Sequence, residues 1–498
     1  VWTRTSGAGT DDIAVEDGRE MKVPIGGGTQ TALASGLDRP IRLSRRASQS
    51  APRASTPARA EAPGRVRSCL AEPRPIMTPE TRSSAVWAAI AAGGLLAMVG
   101  MAGCGDHAAT PSPDAGTAAP STMLLDLPTV VSYGGPVLVA PRVQAIYLPG
   151  FAFESEVDTF LASLQTSIYW PAVVAEYGVG PLSVLPSHVS SVSAPPTIAI
   201  SDSQLGGIDN LFAQLMTADA AVLGAPSGDT IYALFFPPTT TFTSSGVAFC
   251  LPTSLHGFHF ESAASGTRLA VVVIPSCTNF PGGPGTPDLI GFSALTPAIS
   301  HELVEAATDP FLDSAPAFAD TDAAHAMWST EIGGGEVGDL CENEAPNRVI
   351  PSDIRFPVQR MWSNAAVQAG TGPCVPVPPG ELFFVGVPDL PDRVVVQQRD
   401  GMTVTVPALS AAVGAAATVG VTFRSPGDMR NAWRVAAVED HDRGATLSKV
   451  FSLTTGIQGQ RLQIGVTPTE VSAGIFPLVV ISANRDAFHL WIGAIQRQ

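Results

Sequence analysis

The sequence predicts an α/β central domain followed by an all-β domain, preceded by a long segment that can support neither. Three observations carry this reading. Between residues 138 and 378, apolar runs of strand length alternate with stretches of helical spacing, the pattern of a layered α/β unit. Residues 379–391 form a linker by composition, because Pro379, Pro388 and Pro391 follow closely on Pro376 and Pro378. From 392 to 498, strand-like alternation and turn residues recur with little helical periodicity. The length of 498 residues exceeds one ordinary domain, and an apolar content of 45% is enough for sizeable cores.

In chain order, residues 1–76 come first. From Arg39 to Arg74 they are mostly Arg, Ala, Pro and Ser, with too few large apolar side chains to build a core. Met77 then opens the pattern of an export signal. Arg82 gives a positive start, Ala85 to Gly100 an apolar stretch, and Met101-Ala102-Gly103-Cys104 small residues before a cysteine. The expectation is a lipoprotein signal peptide over 77–103, a lipid on Cys104, and an upstream extension, 1–76, that is mis-assigned or disordered. The competing expectation is a disordered tail before a transmembrane anchor, since the apolar run is about long enough to span a bilayer. The first reading puts the protein in the cell envelope, attached to a membrane through Cys104 with the outer membrane favoured, or secreted. Residues 104–135, rich in Ala, Pro, Thr and Ser, then act as a flexible tether.

The central domain begins with a buried strand over Val143 to Leu148, stopped by Pro149-Gly150. Glu154 to Ser167 is helical, with Val157, Phe160, Leu161 and Leu164 on one face. A second helix opens at Tyr169-Trp170-Pro171 and runs to Tyr177. Thr197 to Ile200 is a short strand, Ile208 to Val222 a helix, and Thr230 to Phe236 and Leu269 to Ile274 are β-branched and aromatic strands. A further helix starts near Thr296-Pro297 and must end by Pro310. In the last region, strands fall on Val394–Val396, Met402–Val406, Val419–Phe423, Leu462–Val466 and Leu478–Val480. Short alternating strands with frequent turns describe a β-sandwich of the immunoglobulin-like type, here without any cysteine.

Charge narrows the function. The chain carries a net −16, yet residues 1–76 hold 12 basic against 8 acidic residues, so the remainder carries −20. Such a body is a poor partner for nucleic acid or an anionic bilayer surface. Among the six cysteines there is no Cys-x-x-Cys pair, which argues against a thiolate zinc site. Sequential pairing closes the shortest loops and gives Cys250–Cys277 and Cys341–Cys374, as expected in an oxidising compartment.

Chemistry concentrates in Ser300-His301-Glu302-Leu303-Val304-Glu305-Ala306-Ala307-Thr308-Asp309-Pro310. Four residues apart on a helix, His301 and Glu305 share a face and can bind one metal ion. Glu302 occupies the position of the general base in the His-Glu-x-x-His helix of metalloproteases, with Glu305 standing where that pattern has its second histidine. Carboxylate oxygen is an accepted zinc ligand, and its charge widens the choice of divalent metal. The flanking Leu303, Val304, Ala306 and Ala307 make the helix largely apolar, so its ionisable groups need a partner or a metal. A third ligand must come from elsewhere. Glu336 or Asp339 in Gly333-Gly334-Gly335-Glu336-Val337-Gly338-Asp339, and His259 in the Cys250–His259 segment, are the candidates, with His256 weaker. Asp309 can orient a ligand or cap the helix end. A glycosidase using Glu302 and Glu305 is a poor third reading, because carboxylates three residues apart on one helix are too close to flank a sugar ring.

The order of several blocks resembles the exordium/phosphate-induced protein family. These blocks are Ile146-Tyr147, Ser163-Leu164 to Trp170, Cys250 to His259, Thr308-Asp309-Pro310, Gly338-Asp339-Leu340-Cys341 and Trp362-Ser363-Asn364. The resemblance spans about residues 140–376 and is nearest to bacterial relatives whose helix reads His-Glu-x-x-Glu-x-x-Thr-Asp-Pro. It implies a fold and an association with the cell surface, not an activity. The plant members lack the His-Glu pair, so zincin-like chemistry rests on His301, Glu302 and Glu305 themselves. The resulting expectation is a zincin-like α/β domain serving as a surface metal-dependent hydrolase, most simply a zinc peptidase. Its substrate would be a peptide or a cell-surface polymer. The alternative is a non-catalytic envelope or binding lipoprotein.

Overall fold

A computed structural model describes residues 125–498, apart from 201–204, 245, 252–253, 264–265, 282–286, 399–401, 428–431, 440–451, 456, 469–473 and 485–486. The expected signal peptide, Cys104 and the tether as far as residue 124 lie outside the described residues. The rest of the expected tether, 125–135, is folded, with Leu125, Leu127 and Val130 buried and Val130–Ser132 paired antiparallel with Phe318–Thr321. The described chain mixes helices and strands in several sheets. Among the described residues, no helix is long and apolar enough to cross a membrane.

Four strands organise the first part: β1 (Arg142–Tyr147), β2 (Thr230–Phe235), β3 (Phe258–Ser262) and β4 (Leu269–Ile274). They pair in the order β1-β2-β4-β3. The first three are parallel and β3 runs antiparallel at the edge. Two short strands, Ser183–Val184 and His188–Val189, extend the other edge parallel to β1. β2 and β4 are buried along their whole length, as expected for strands covered on both faces. Alternate residues serve opposite layers. Ile231, Ala233, Phe235, Ala270, Val272 and Ile274 pack toward the helices α1 (Glu154–Thr166) and α3 (Phe292–Thr308). Tyr232, Leu234, Val271 and Val273 pack with Leu211, Phe212 and Leu215 of α2 (Gly206–Ala218).

This parity fixes the site. On β3, Phe260 and Phe258 join the α2 side. Their neighbour His259, paired with Val272, therefore faces the α3 side. Helix α3 packs on β4 and β3, and its residues from Ala294 to Thr308 are buried. It starts at Phe292, earlier than the expected Thr296-Pro297, so Pro297 lies inside it. The proline removes one ladder hydrogen bond, to the carbonyl of Ser293. Thr296 Oγ1 lies 3.2 Å from that carbonyl and 2.7 Å from the Pro357 carbonyl, so polar partners surround the gap. The helix ends at Thr308, where Asp309 Oδ1 accepts from the Ala317 N–H at 2.6 Å, just before Pro310.

A short helix, α4 (Asp339–Glu342), follows the glycine-rich turn. Both disulfides form as expected: Cys250–Cys277 ties the loop before β3 to the segment after β4, and Cys341–Cys374 ties α4 to the strand Cys374–Val375.

The last helix of the described chain is Asn364–Gln368. Beyond it come β5 (Val385–Pro388), β6 (Asp392–Gln397), β7 (Thr403–Ala411), β8 (Ala417–Arg424), β9 (Ala432–Glu439), β10 (Ser452–Thr455), β11 (Arg461–Val466), β12 (Gly474–Ala483) and β13 (Phe488–Arg497). They form a six-stranded sheet, β6-β7-β13-β12-β9-β10, and a three-stranded sheet, β5-β8-β11. Within 379–391, Phe383, Phe384 and Val385 are buried. They belong to one apolar cluster that runs from Leu125 through Trp328 and Trp362 to Trp491 and Ile495.

Candidate metal centre

A cleft of about 200 Å³ opens between α3, the edge strand β3 and the turn leading into α4. Its walls carry His259, His301, Glu302, Glu305, Glu336, Asp339 and Glu342, with His256, Phe280 and Gln359 beside them. All six residues singled out from sequence as catalytic or metal-binding thus meet at one place, from three separate stretches of chain.

Helix geometry brings the first pair together. His301 Nε2 lies 2.9 Å from Glu305 Oε2, one turn away. The other oxygen of Glu305 is fixed by backbone, accepting from the N–H of Gly338 at 3.0 Å and of Asp339 at 3.2 Å. Asp339 Oδ1 stands 3.6 Å from His301 Nε2. From β3, His259 Nδ1 lies 3.4 Å from Glu302 Oε2 and 3.7 Å from Glu305 Oε2, while its Nε2 lies 3.4 Å from Glu336 Oε1.

The glycines make this approach feasible. A methyl group on Gly338 would sit 2.7 Å from Glu305 Oε1 and 2.8 Å from the His301 ring, and one on Gly334 would overlap Asp339 Oδ2. The turn can lie against the helix only because these positions lack a side chain.

Burial and like charge dominate the electrostatics. Burial opposes protonation of His259, but Glu336, Glu302 and Glu305 outweigh it and hold the imidazole well above its ordinary range. His301 is raised in the same way, against burial, by Glu305, Glu302 and Asp339. Glu305 is also raised, although an imidazole beside a carboxylate ordinarily lowers it. Here burial and the charges of Glu336 and Glu302 prevail over His301. Burial and then Glu305 push Asp339 well up, and burial raises Glu342. Asp309, behind the cleft, is raised to about 7 by burial and then by Glu336. His256 goes the other way, lowered to about 4 by burial, and its ring packs on Phe280 with centroids 4.4 Å apart.

These groups suit a divalent cation. Imidazole nitrogen and carboxylate oxygen are zinc donors, and cation binding needs the deprotonated ligands that the crowding disfavours. His259 Nε2 and Glu336 Oε1 are buried, close together, and without a hydrogen-bond partner among the described residues. Two triads, His301/Glu302/Glu305 and His259/Glu305/Glu336, each bring their donor atoms within 4.8 Å of one another. Glu342 and Gln359 went unrecognised in the sequence. Glu342 lies one turn of α4 beyond Asp339, so the short helix itself was the missing signal. Gln359 holds the Gly338 carbonyl through Nε2 at 2.8 Å.

No family model matches the chain, and no curated protein matches it. Among solved structures, 23% of the chain is similar to 93% of a Niemann-Pick type C2 protein from Japanese carpenter ant, at 9% identity and a TM-score of 0.15. A beta-glucosidase from Listeria innocua is similar over 74% of this chain at 9% identity and a TM-score of 0.16. The chain spans about half the length of that enzyme, 48% of it. At these scores neither likeness lends a fold or a chemistry to this protein.

Proposed function

We propose that the cleft is the metal centre of a divalent-metal hydrolase of the cell envelope, most simply a zinc peptidase. The observation that carries this reading is the convergence of His259, His301 and five carboxylates on one cleft, far more negative charge than its own cations can balance. His301 and Glu305, with Asp339, Glu336 or His259, would hold the ion. A bound divalent ion lowers the pKa of water and polarises a carbonyl. The chain's own contribution is positional. Backbone N–H groups pin Glu305 from behind. Glu302, on the same helix and 3.4 Å from His259 Nδ1, would serve as the proton acceptor.

The finer fold assignment belongs to the same proposal: a zincin-like α/β domain followed by an immunoglobulin-like sandwich. The helix-covered sheet of β1–β4 and the two sheets of β5–β13 support it. The exordium-like reading rests on the order of its sequence blocks, one of which, Trp362-Ser363-Asn364, is held at Trp362 by two residues outside the blocks. Trp362 N donates to the Val337 carbonyl at 2.7 Å, and Tyr177 OH donates to the Trp362 carbonyl at 2.7 Å. Export is supported by the two disulfides, and lipid attachment at Cys104 completes the proposed envelope location.

Glu302→Gln tests the reading. It should keep the bound metal and lose about 10²–10⁴-fold of peptide hydrolysis on a quenched-fluorescence peptide library. Unchanged hydrolysis in this variant would remove Glu302 from the chemistry and the peptidase assignment with it.

A further inference from the structure

Glu305 stands between two imidazoles that come from different elements. Its Oε2 lies 2.9 Å from His301 Nε2 and 3.7 Å from His259 Nδ1. On the His301 side, Asp339 Oδ1 adds a third donor, 3.6 Å from Nε2. On the His259 side, Glu336 Oε1 lies 3.4 Å from the other ring nitrogen, Nε2, and one ring nitrogen, Glu305 and Glu336 offer three donor atoms within 4.8 Å of one another. The His259 side chain is only 5% exposed, yet its Nε2 and the facing Glu336 oxygen lack hydrogen-bond partners among the described residues. Buried polar atoms are rarely left so. The two compact donor triads, His301/Glu302/Glu305 and His259/Glu305/Glu336, share one member, Glu305.

A single ion on His301 and Glu305 would leave the His259–Glu336 pair unsatisfied. Charge points the same way. Five carboxylates line the cleft: Glu302, Glu305, Glu336, Asp339 and Glu342. With all five ionised, one divalent cation leaves about three charges uncompensated, whereas two leave about one, and uncompensated buried charge is costly.

We propose that the cleft binds two divalent cations that share Glu305, one held by His301, Glu305 and Asp339, the other by His259, Glu336 and Glu305. The proposal rests on the metal-hydrolase reading and deepens it. Glu302, which the His301 donor group also contains, is assigned to neither ion; its Oε2, 3.4 Å from His259 Nδ1, is kept as the proton acceptor. Paired ions about 3.5–4 Å apart clamp both the attacking and the leaving oxygen of a displacement.

The test uses the full chain, stripped with chelator, reloaded with Zn²⁺ and desalted, with metal per chain counted by plasma mass spectrometry. Two ions per chain are expected for the wild type and one each for Glu336→Gln and His259→Ala. Loading with Mn²⁺ should give the exchange-coupled resonance spectrum of a pair with a shared ligand. Saturation of the wild type at one ion overturns the second site while leaving the single-metal reading standing. Two ions with the spectrum of isolated Mn²⁺ overturn the sharing of Glu305. A wild type that retains no ion overturns this proposal and the reading beneath it. The wild-type count decides even if a variant fails to fold.

Discussion

Residue by residue, burial and like charge set the electrostatics of the site. Asp309 offers the clearest handle, because it is fully buried and its carboxyl is raised to about 7 by burial and then by Glu336. A folded pKa above the unfolded value of about 3.9 means that the metal-free folded state keeps a proton the unfolded chain has released. The stability from this group is complete below about pH 4 and is lost as pH rises through about 7. Asp309→Asn keeps the Oδ1 acceptor for the Ala317 N–H. It should therefore flatten the fall in Tm of the metal-free protein between about pH 4 and 7. An unchanged slope in the variant would show that other carboxyls carry the effect. How much of the site was legible differs by residue. His301, Glu302 and Glu305 could be read from a spacing of four on one helix. His259 could be named only as a candidate, since its direction depends on its pairing with Val272, which no local pattern reveals.

Among the elements, the turn from Gly333 to Gly338 matters as much as helix α3. Gly338 sits at the closest approach, and a methyl group there would press on both Glu305 and His301. Gly338→Ala should abolish metal retention while leaving the circular dichroism spectrum native, and retention at the wild-type level contradicts the proposed packing. The Cys341–Cys374 bridge anchors the same segment across 33 residues, and its removal by paired serines should cost about 2–4 kcal/mol in urea titration. A cost near zero would mean that the turn is held without it. Elements were legible where periodicity was clean. α1 appears where its apolar spacing puts it, and β2 and β4 where continuous β-branched and aromatic runs put them. β13 escapes the sequence because His489, Gly493 and Gln496 interrupt its apolar run, although nine of its ten residues are buried. α3 was started too late because Pro297 read as a first-turn residue, whereas nearby polar groups accommodate it inside the helix.

Across the whole molecule, the β-rich C-terminal part and the metal-site part share one apolar cluster. Polar contacts reinforce it. His489 Nδ1 of β13 donates to Glu344 Oε2 at 2.5 Å, both side chains being 3% exposed, and the Leu490 N–H donates to the other oxygen at 3.0 Å. Ala345 and Phe488 exchange backbone hydrogen bonds at 3.0 and 3.1 Å, only a few residues after the cleft residue Glu342. Removing one partner of such a buried pair costs about 3–5 kcal/mol, so His489→Ala should lower stability by that order. A chain ending at residue 379 should fail to show a cooperative thermal transition, because it loses Phe383, Phe384, Trp491 and Ile495 from the shared core. A truncated chain that melts cooperatively and still binds metal would show that the first part stands alone. Above all of these stands the metal content of the purified full chain. After zinc loading and desalting, the wild type should retain zinc stoichiometrically and His301→Ala should lose it; a wild type that is natively folded and metal-free under the same treatment would contradict the account.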